Sequence, residues 1–406
     1  MGLLSLRAKR SNLKTYDRLL RHSVPRNDRK TSIISNLIMN FKKLLQDIKK
    51  DKEKLFYAIA AVVFLCAIIL LLYFILRGRP TETGGVIDEN IGTATSTQNQ
   101  RVECEFQSGL TGECVLSEAE EFQPLVGVMI ENFTSARPQA GIAEASVVYE
   151  APAEGNITRF LALFPKDSAV QKAGPVRSAR PYYLDFVSEY PGAMYMHVGG
   201  SPEALQKIDQ YNIFDVDEFY RGIYFWRDEN KDAPHNAFTS SDLWKDVYER
   251  YADKNIDVQF ESWNFSASST RECAINCVSD VQIPFLRPSY VVKWKYNSEL
   301  KVFERFHSNT VHVDSNGNPV KASTVIVQHV TDKILDDVGR RALGTIDEGK
   351  AEVYVYGEKF EGVWKKDSRM ARTKFLDGSG IEIPLAPGKI WIEVVPVNIE
   401  VTSTPR

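Results

Sequence analysis

Residues 55–76, LFYAIAAVVFLCAIILLLYFIL, hold no Asp, Glu, Lys or Arg. As a helix rising about 1.5 Å per residue, such a run crosses the roughly 30 Å hydrocarbon layer of a bilayer. Tyr57 and Tyr73 stand near its two edges, where aromatic rings favour the membrane interface. Charge divides around it. The 406-residue chain has a net charge of only −3, but residues 1–54 carry 15 Lys/Arg against 5 Asp/Glu, and residues 77–406 carry 35 against 48. A Lys/Arg excess on the N-terminal flank holds that flank in the cytoplasm. The preceding segment is too long for a cleaved signal peptide, and no small-x-small site follows. The pattern predicts a single-pass signal anchor in the cell membrane, with the N-terminus cytoplasmic and the rest extracytoplasmic.

Within the basic tail, residues 33–48 (IISNLIMNFKKLLQDI) space apolar residues as a helix would, with lysines opposite. That suits an amphipathic helix on anionic lipid, a juxtamembrane extension of the anchor, or a contact for a cytoplasmic partner. Nucleic acid is not an expected partner. Residues 77–100, rich in Gly, Thr and Asn, read as a flexible stalk. Beyond the apolar run lie four cysteines, Cys104, Cys114, Cys273 and Cys277. Local pairs, Cys104–Cys114 and Cys273–Cys277, are the simplest of three connectivities. A zinc site would want Cys-x-x-Cys knuckles, which neither pair supplies, so no metal is expected.

The most chemical stretch of the outer part is 136–181, which sets Arg137, Arg159, Arg177, Arg180, Glu150 and Glu154 around two apolar runs. Residues 146–149 and 160–164 read as buried strands. Joined as a hairpin through APAEGNI, they put Glu150 and Arg159 at one end. An extended return over 168–176 brings Arg177 back to that end. GPVRSARPYYLDF reads as a turn opening a helix, with Ser178 as N-cap and Pro181 in the first turn. Free amide donors beside arginines make an anion site. The same arginines can instead pair with Glu150, Glu154 and Asp185 to pin the turn, and the residue pattern leaves both readings open.

ARPQ, VYE followed by EGNITRFLALF, GPVRSAR and PHN resemble the YerB-like lipoprotein family of bacterial extracytoplasmic proteins. The resemblance runs from about residue 125 to 396, through an N-terminal and a C-terminal family domain. It implies a mixed α/β fold of sheets layered with helices and an outward-facing location, and no known reaction. Relatives are commonly lipidated, but here Cys66 follows Phe64 and Leu65 in mid-run, where a lipobox needs small residues. A transmembrane helix replaces the lipid anchor.

Further along, GAMYMHVGGSPEALQKI reads as a strand ending at His197, a glycine turn, a Ser201 cap, Pro202 at the first helical position and an amphipathic helix. The crevice beyond such a strand end is a favoured ligand site. The aromatic run 214–238 packs a long loop or lines a groove, and His235 lies on a loop after Pro234. Residues 240–253 are helical by pattern. After 284 the chain turns to short strands separated by NGNP, DGSG and APGK, a β-rich part that extends or faces the first sheet. His307, His312 and His329 read as satisfied strand residues. Asp336, Asp337, Arg340 and Arg341 read as a charged, solvated helix or turn.

The expected organisation is a basic tail (1–54), a transmembrane helix (55–76), a stalk with a disulfide loop (77–121), an α/β domain (122–282) and a β-rich domain (283–397). HExxH, GxSxG, GxGxxG and the P-loop are absent from the sequence, and no cofactor is expected. The leading expectation is binding of an anionic or glycan cell-wall ligand through Arg137, Arg159, Arg177, Ser178, Arg180 and Ser201. The alternative is a polysaccharide hydrolase or transferase using Glu150 and Glu154 with His197 or His235. It requires two carboxylates across one cleft.

Overall fold

Leu125–Glu131 is buried along its whole length. A strand with both faces covered reads as one continuous apolar run, as LVGVMI does here. The computed structural model describes residues 104–253, 257–266 and 273–406, together with Phe64, which is helical. The expected tail, the rest of the membrane helix and the stalk up to residue 103 lie outside the described residues. Among the described residues no helix is long and apolar enough to cross a membrane.

In chain order, β1 (Phe106–Gln107) and β2 (Cys114–Val115) form a small hairpin joined by the Cys104–Cys114 disulfide. Then come β3 (Leu125–Glu131), β4 (Val147–Pro152), β5 (Thr158–Pro165), α1 (Pro181–Val187), β6 (Met194–His197), α2 (Pro202–Tyr211) and β7 (Asp215–Asp217). α3 (Glu218–Arg221), β8 (Trp226–Arg227), β9 (Ala237–Phe238) and α4 (Ser241–Tyr251) complete this half. The second half holds β10 (Val278–Pro284), β11 (Val291–Asn297), β12 (Val302–His307), β13 (Thr310–Val311), β14 (Lys321–Ala322) and β15 (Thr324–Val330). They are followed by β16 (Asp332–Ile334), β17 (Arg341–Leu343), β18 (Asp347–Val355), β19 (Glu358–Lys366), β20 (Lys374–Asp377), β21 (Ile390–Pro396) and β22 (Thr402–Pro405).

Ten of these strands make one sheet, ordered β20-β19-β18-β15-β21-β4-β5-β3-β6-β7. The two halves of the chain therefore share a sheet. β21 inserts parallel to both β15 and β4 and stitches them together. The second sheet, β13-β12-β11-β10-β22 with β14 on β12, faces the first instead of extending it. The C-terminal strands thus both extend and face the sheet of the N-terminal half.

The period of two along β3 sorts its side chains between two cores. Val126, Val128 and Ile130 join Trp244 and Val247 of α4 and Val281, Val292, Trp294 and Phe303 of the second sheet. Leu125 and Met129 join Tyr183, Leu184 and Phe186 of α1 and Ala204 and Ile208 of α2. The large sheet is the middle layer, with a sheet and a helix on one face and helices on the other. The Cys273–Cys277 disulfide closes a tight loop before β10.

Local expectations fare unevenly. The β4–β5 hairpin forms, with Glu150 opposite Phe160 and Ala151 opposite Arg159. Ser201 caps α2, its Oγ accepting from the Ala204 amide at 3.3 Å, and Pro202 opens the helix. The turn before it needs glycine at 199, where φ is +58° and a Cβ would meet the Phe219 ring at 2.5 Å. α1 ends at Val187, and its N-cap is Arg180, not Ser178. The helix starts later than expected because Ala179 is bridged to the turn before α2, its amide donating to Gly199 O and its carbonyl accepting from the Ser201 amide. Arg341, expected in solvent, is buried.

Candidate functional site

The site begins with where backbone hydrogen bonds go. Past β5 the chain returns as an extended segment whose Val176 amide bonds Ala237 O, whose Arg177 amide bonds Met129 O and whose Ala179 amide bonds Gly199 O. GPVRSAR is thereby laid against the end of β3, beside β9 and along the turn before α2. Gly174 is required at the bend, since a Cβ there would sit 2.8 Å from Ala237 O at a φ of +143°. Arg159, second residue of β5, and Glu154, in the hairpin loop, stand at the same end.

These elements enclose a cavity of about 450 Å³ lined by Glu131, Glu154, Arg159, Arg177, Arg180 and His235. Ser178 and the start of α2 (Gly200, Ser201, Pro202) complete one wall. Phe133, Ile157, Val338 and Arg340 complete the other, the last two from the turn between β16 and β17. Of the expected binding residues, the structure brings together Arg159, Arg177, Ser178, Arg180 and Ser201, with Glu154 and His235 beside them. Glu131 was not anticipated. Its signal was present, a carboxylate closing an apolar strand as Glu150 does.

Pairing inside the cavity is partial. Arg180 grips Glu154 with Nε on one oxygen and Nη2 on the other, the latter at 2.7 Å, and donates Nη1 to Ala179 O. Burial disfavours the Glu154 charge, yet hydrogen bonding and attraction from Arg180, with Arg159 behind it, hold its pKa below the ordinary carboxylate value. Arg177 donates Nε to Glu131 at 3.0 Å, and His235 donates Nδ1–H to the other Glu131 oxygen at 2.7 Å. Arg159 donates Nη1 to Ser178 O at 2.6 Å, and its Nη2 lies 3.9 Å from Glu154. Its Nε has no hydrogen-bond partner among the described residues, although the residue is only 4 % exposed. Burial, then the like charge of Arg180, pull the Arg159 pKa down. An unanswered guanidinium N–H in such a place is costly unless something else accepts from it.

Three expected site residues lie elsewhere. Arg137 donates Nε to Asn132 at 2.9 Å and Nη1 to Ser289 O, and lies over the Tyr290 ring. Burial and the charge of Arg305 lower its pKa to about 10. His197 is fully buried between Gly199 O (2.9 Å) and Asp215 (3.3 Å). Glu150, expected beside Arg159, points to the opposite face of the sheet, into the layer between the sheets. There it accepts from Thr158 Oγ1 at 2.5 Å, from Asn132 at 3.3 Å and from Arg305 Nη2. Glu150 and Glu393 face each other across β4 and β21, and Arg305 stands between them. Burial, then the Glu150 charge, raise the Glu393 pKa far above the carboxylate range. The paired-carboxylate reading fails on this geometry. Glu150 is sealed from the cavity, and Glu154 is held ionised by Arg180 and makes a poor general acid.

His312 and His329 are buried and bonded, as expected of satisfied strand histidines. His312 accepts from Arg305 at 2.8 Å and reaches Gln139 at 3.0 Å, and His329 reaches Glu352 at 3.3 Å. The aromatic run divides. Tyr224 and Phe225 pack inward, while Phe219 and Tyr220 are exposed and do not line the cavity.

Fold and domain order define a class. Residues 110–257 match the Protein of unknown function (DUF3048) N-terminal domain, and 281–392 match the DUF3048 C-terminal domain. The chain belongs to the YerB-like family in which these two domains occur together. It is 30% identical over 298 residues to “Putative lipoprotein YerB” of Bacillus subtilis (strain 168), covering 72% of this chain and 86% of that one. The crystal structure of YerB protein from Bacillus subtilis matches with a TM-score of 0.65 at 27% identity, over 73% of this chain and 100% of the other.

Proposed function

We propose that the protein is a membrane-anchored extracytoplasmic envelope protein whose arginine-lined cavity binds an anionic ligand. The location is supported by the lipoprotein name of the Bacillus subtilis relative, by two disulfides, which suit an oxidising exterior, and by the apolar run at 55–76. The basic tail then lies inside, against anionic lipid or a cytoplasmic partner. The observation that carries the binding reading is the Arg159 Nε, buried in the cavity wall with no acceptor among the described residues. Three arginines against two carboxylates leave the wall net positive before Arg340 is counted, and Arg340 already pairs with Asp336 at 3.1 Å.

Thermal-shift titration of the purified protein with anionic cell-wall polymers tests this reading. An anion raises Tm of the wild type, and Arg177→Ala and Arg180→Ala each reduce the rise. An equal rise in both variants removes the cavity from the account. Topology is tested by a cysteine placed at Thr95, which an impermeant maleimide labels in intact cells.

A further inference from the structure

Resting on the anion-binding reading, we infer that the group the cavity takes is a phosphate ester, carried on a sugar or polyol unit. A carboxylate is planar, and a single arginine satisfies it through two parallel N–H bonds. One such slot is already filled from within, because Arg180 closes its fork on Glu154. The donors left over are arranged differently. Arg159 offers Nε from β5. Arg177, on the returning segment, has both Nη groups without a partner among the described residues once Nε is on Glu131. His235, on the loop before β9, donates Nδ1–H to Glu131 and leaves Nε2 to accept from a ligand hydroxyl.

The free donors come from two separate elements, β5 and the returning segment, and the His235 ring nitrogen stands beside them on a third. A tetrahedral oxyanion with several terminal oxygens takes the Arg177 fork and a further donor at once, whereas a flat carboxylate is satisfied by the Arg177 fork alone. Glu131 organises it. By accepting from one nitrogen each of Arg177 and His235 it fixes both side chains, with the Arg177 Nη groups and the His235 Nε2 left over, so little ordering is left for the ligand to impose.

The cavity is also too large for the anion alone. At about 450 Å³ it holds the liquid volume of about fifteen waters, far more than a five-atom phosphate group fills. The remaining wall is apolar on one side. Phe133 stacks on the His235 ring at 5.3 Å and 5° between planes, a flat platform beside the donors, with Ile157 and Val338 near it. Such a platform takes the C–H face of a sugar or the carbon chain of a polyol.

Calorimetric titration of the full chain in detergent with glycerol 1-phosphate, inorganic phosphate and glucuronate decides the matter. Glycerol 1-phosphate is expected to bind at least tenfold tighter than glucuronate. Arg177→Lys, which keeps the charge and loses the fork, weakens it about tenfold with an unchanged melting temperature. Phe133→Ala weakens glycerol 1-phosphate and leaves inorganic phosphate unaffected. Poly(glycerol phosphate) beside the monomer tells a wall polymer from a free metabolite, and tighter binding of either upholds the inference. Glucuronate binding as tightly as the phosphates, and lost in Arg177→Lys, overturns the phosphate inference while sparing the anion site. No heat from any of the ligands overturns both.

Discussion

Glu150 and Arg305, 155 residues apart in the chain, meet where neither side chain exposes any surface. The contact joins β4 of the first half to β12 of the second and lies beneath the cross-strand pair of Glu150 and Glu393. Like charges directly opposite on neighbouring strands repel, and one guanidinium cannot fully neutralise two carboxylates. The protein resolves this by keeping Glu393 protonated.

The two carboxylates therefore respond differently to the same substitution. Glu150→Gln leaves Arg305 buried without its charged partner and costs about 3–5 kcal/mol. Glu393→Gln replaces a group that is already neutral, keeps an acceptor for Trp294 Nε1, and costs less than about 1 kcal/mol. Urea unfolding at pH 7 compares them. Equal costs would contradict the assignment.

His307 and His312 set a pH dependence. Burial, then the positive charge of Arg305, hold both far below the ordinary histidine value, so both are neutral in the fold. The unfolded chain takes up protons at these sites below about pH 6.5, and the folded chain does not. Their contribution is complete above that pH and is lost as the pH falls below it, at up to about 1.4 kcal/mol per pH unit for each group. Glu393, with its raised value, acts in the opposite sense, so the test is a difference. Unfolding free energy of the wild type falls more steeply between pH 6.5 and 5 than that of His312→Gln. Parallel curves would count against a neutral His312.

Glu154 competes with any anion for Arg180. Glu154→Gln removes a negative charge from the cavity wall and frees a guanidinium fork, so anion affinity rises severalfold while stability falls by about 1 kcal/mol. Arg180→Ala does the reverse, leaving the Glu154 charge unopposed, and weakens anion binding more than Arg177→Ala does. Isothermal titration of the three variants gives the order.

Arg341 fastens the β16–β17 ribbon over the hairpin loop that carries Glu154. It donates Nε to Ala153 O at 3.2 Å, Nη2 to Asn156 Oδ1 and Nη1 to Asp332. Arg341→Ala is expected to cost about 2–4 kcal/mol and to speed amide exchange over 332–343. Because Val338 and Arg340 line the cavity, anion affinity falls with it. Unchanged exchange would separate the ribbon from the site.

Much of the site was legible because its parts are local. The hairpin and the Ser201 cap follow from runs of apolar residues punctuated by Gly and Pro, and each depends on neighbours within about 20 positions. The return of Arg177 follows from the reach of the extended segment, but Met129 and Ala237, far off in sequence, fix where it lands. What was not legible is long-range. Nothing near Glu150 announces Arg305, so the nearest arginine in sequence looked like its partner. The strand period puts Glu150 and Arg159, one pairing position apart, on opposite faces, and that parity decides which meets the cavity. The parallel insertion of β21 between β15 and β4 depends on strands more than 60 residues from it in sequence, and it turns two apparent domains into one sheet.

The central claim rests on one N–H group. In nitrogen-15 spectra of the protein, the Arg159 Nε–H signal, assigned by its loss in Arg159→Lys, reports directly on whether the cavity wall gains an acceptor. Addition of inorganic phosphate or glucuronate is expected to shift that signal downfield and slow its exchange with water. An Arg159 signal unmoved by saturating concentrations of both anions would contradict the account.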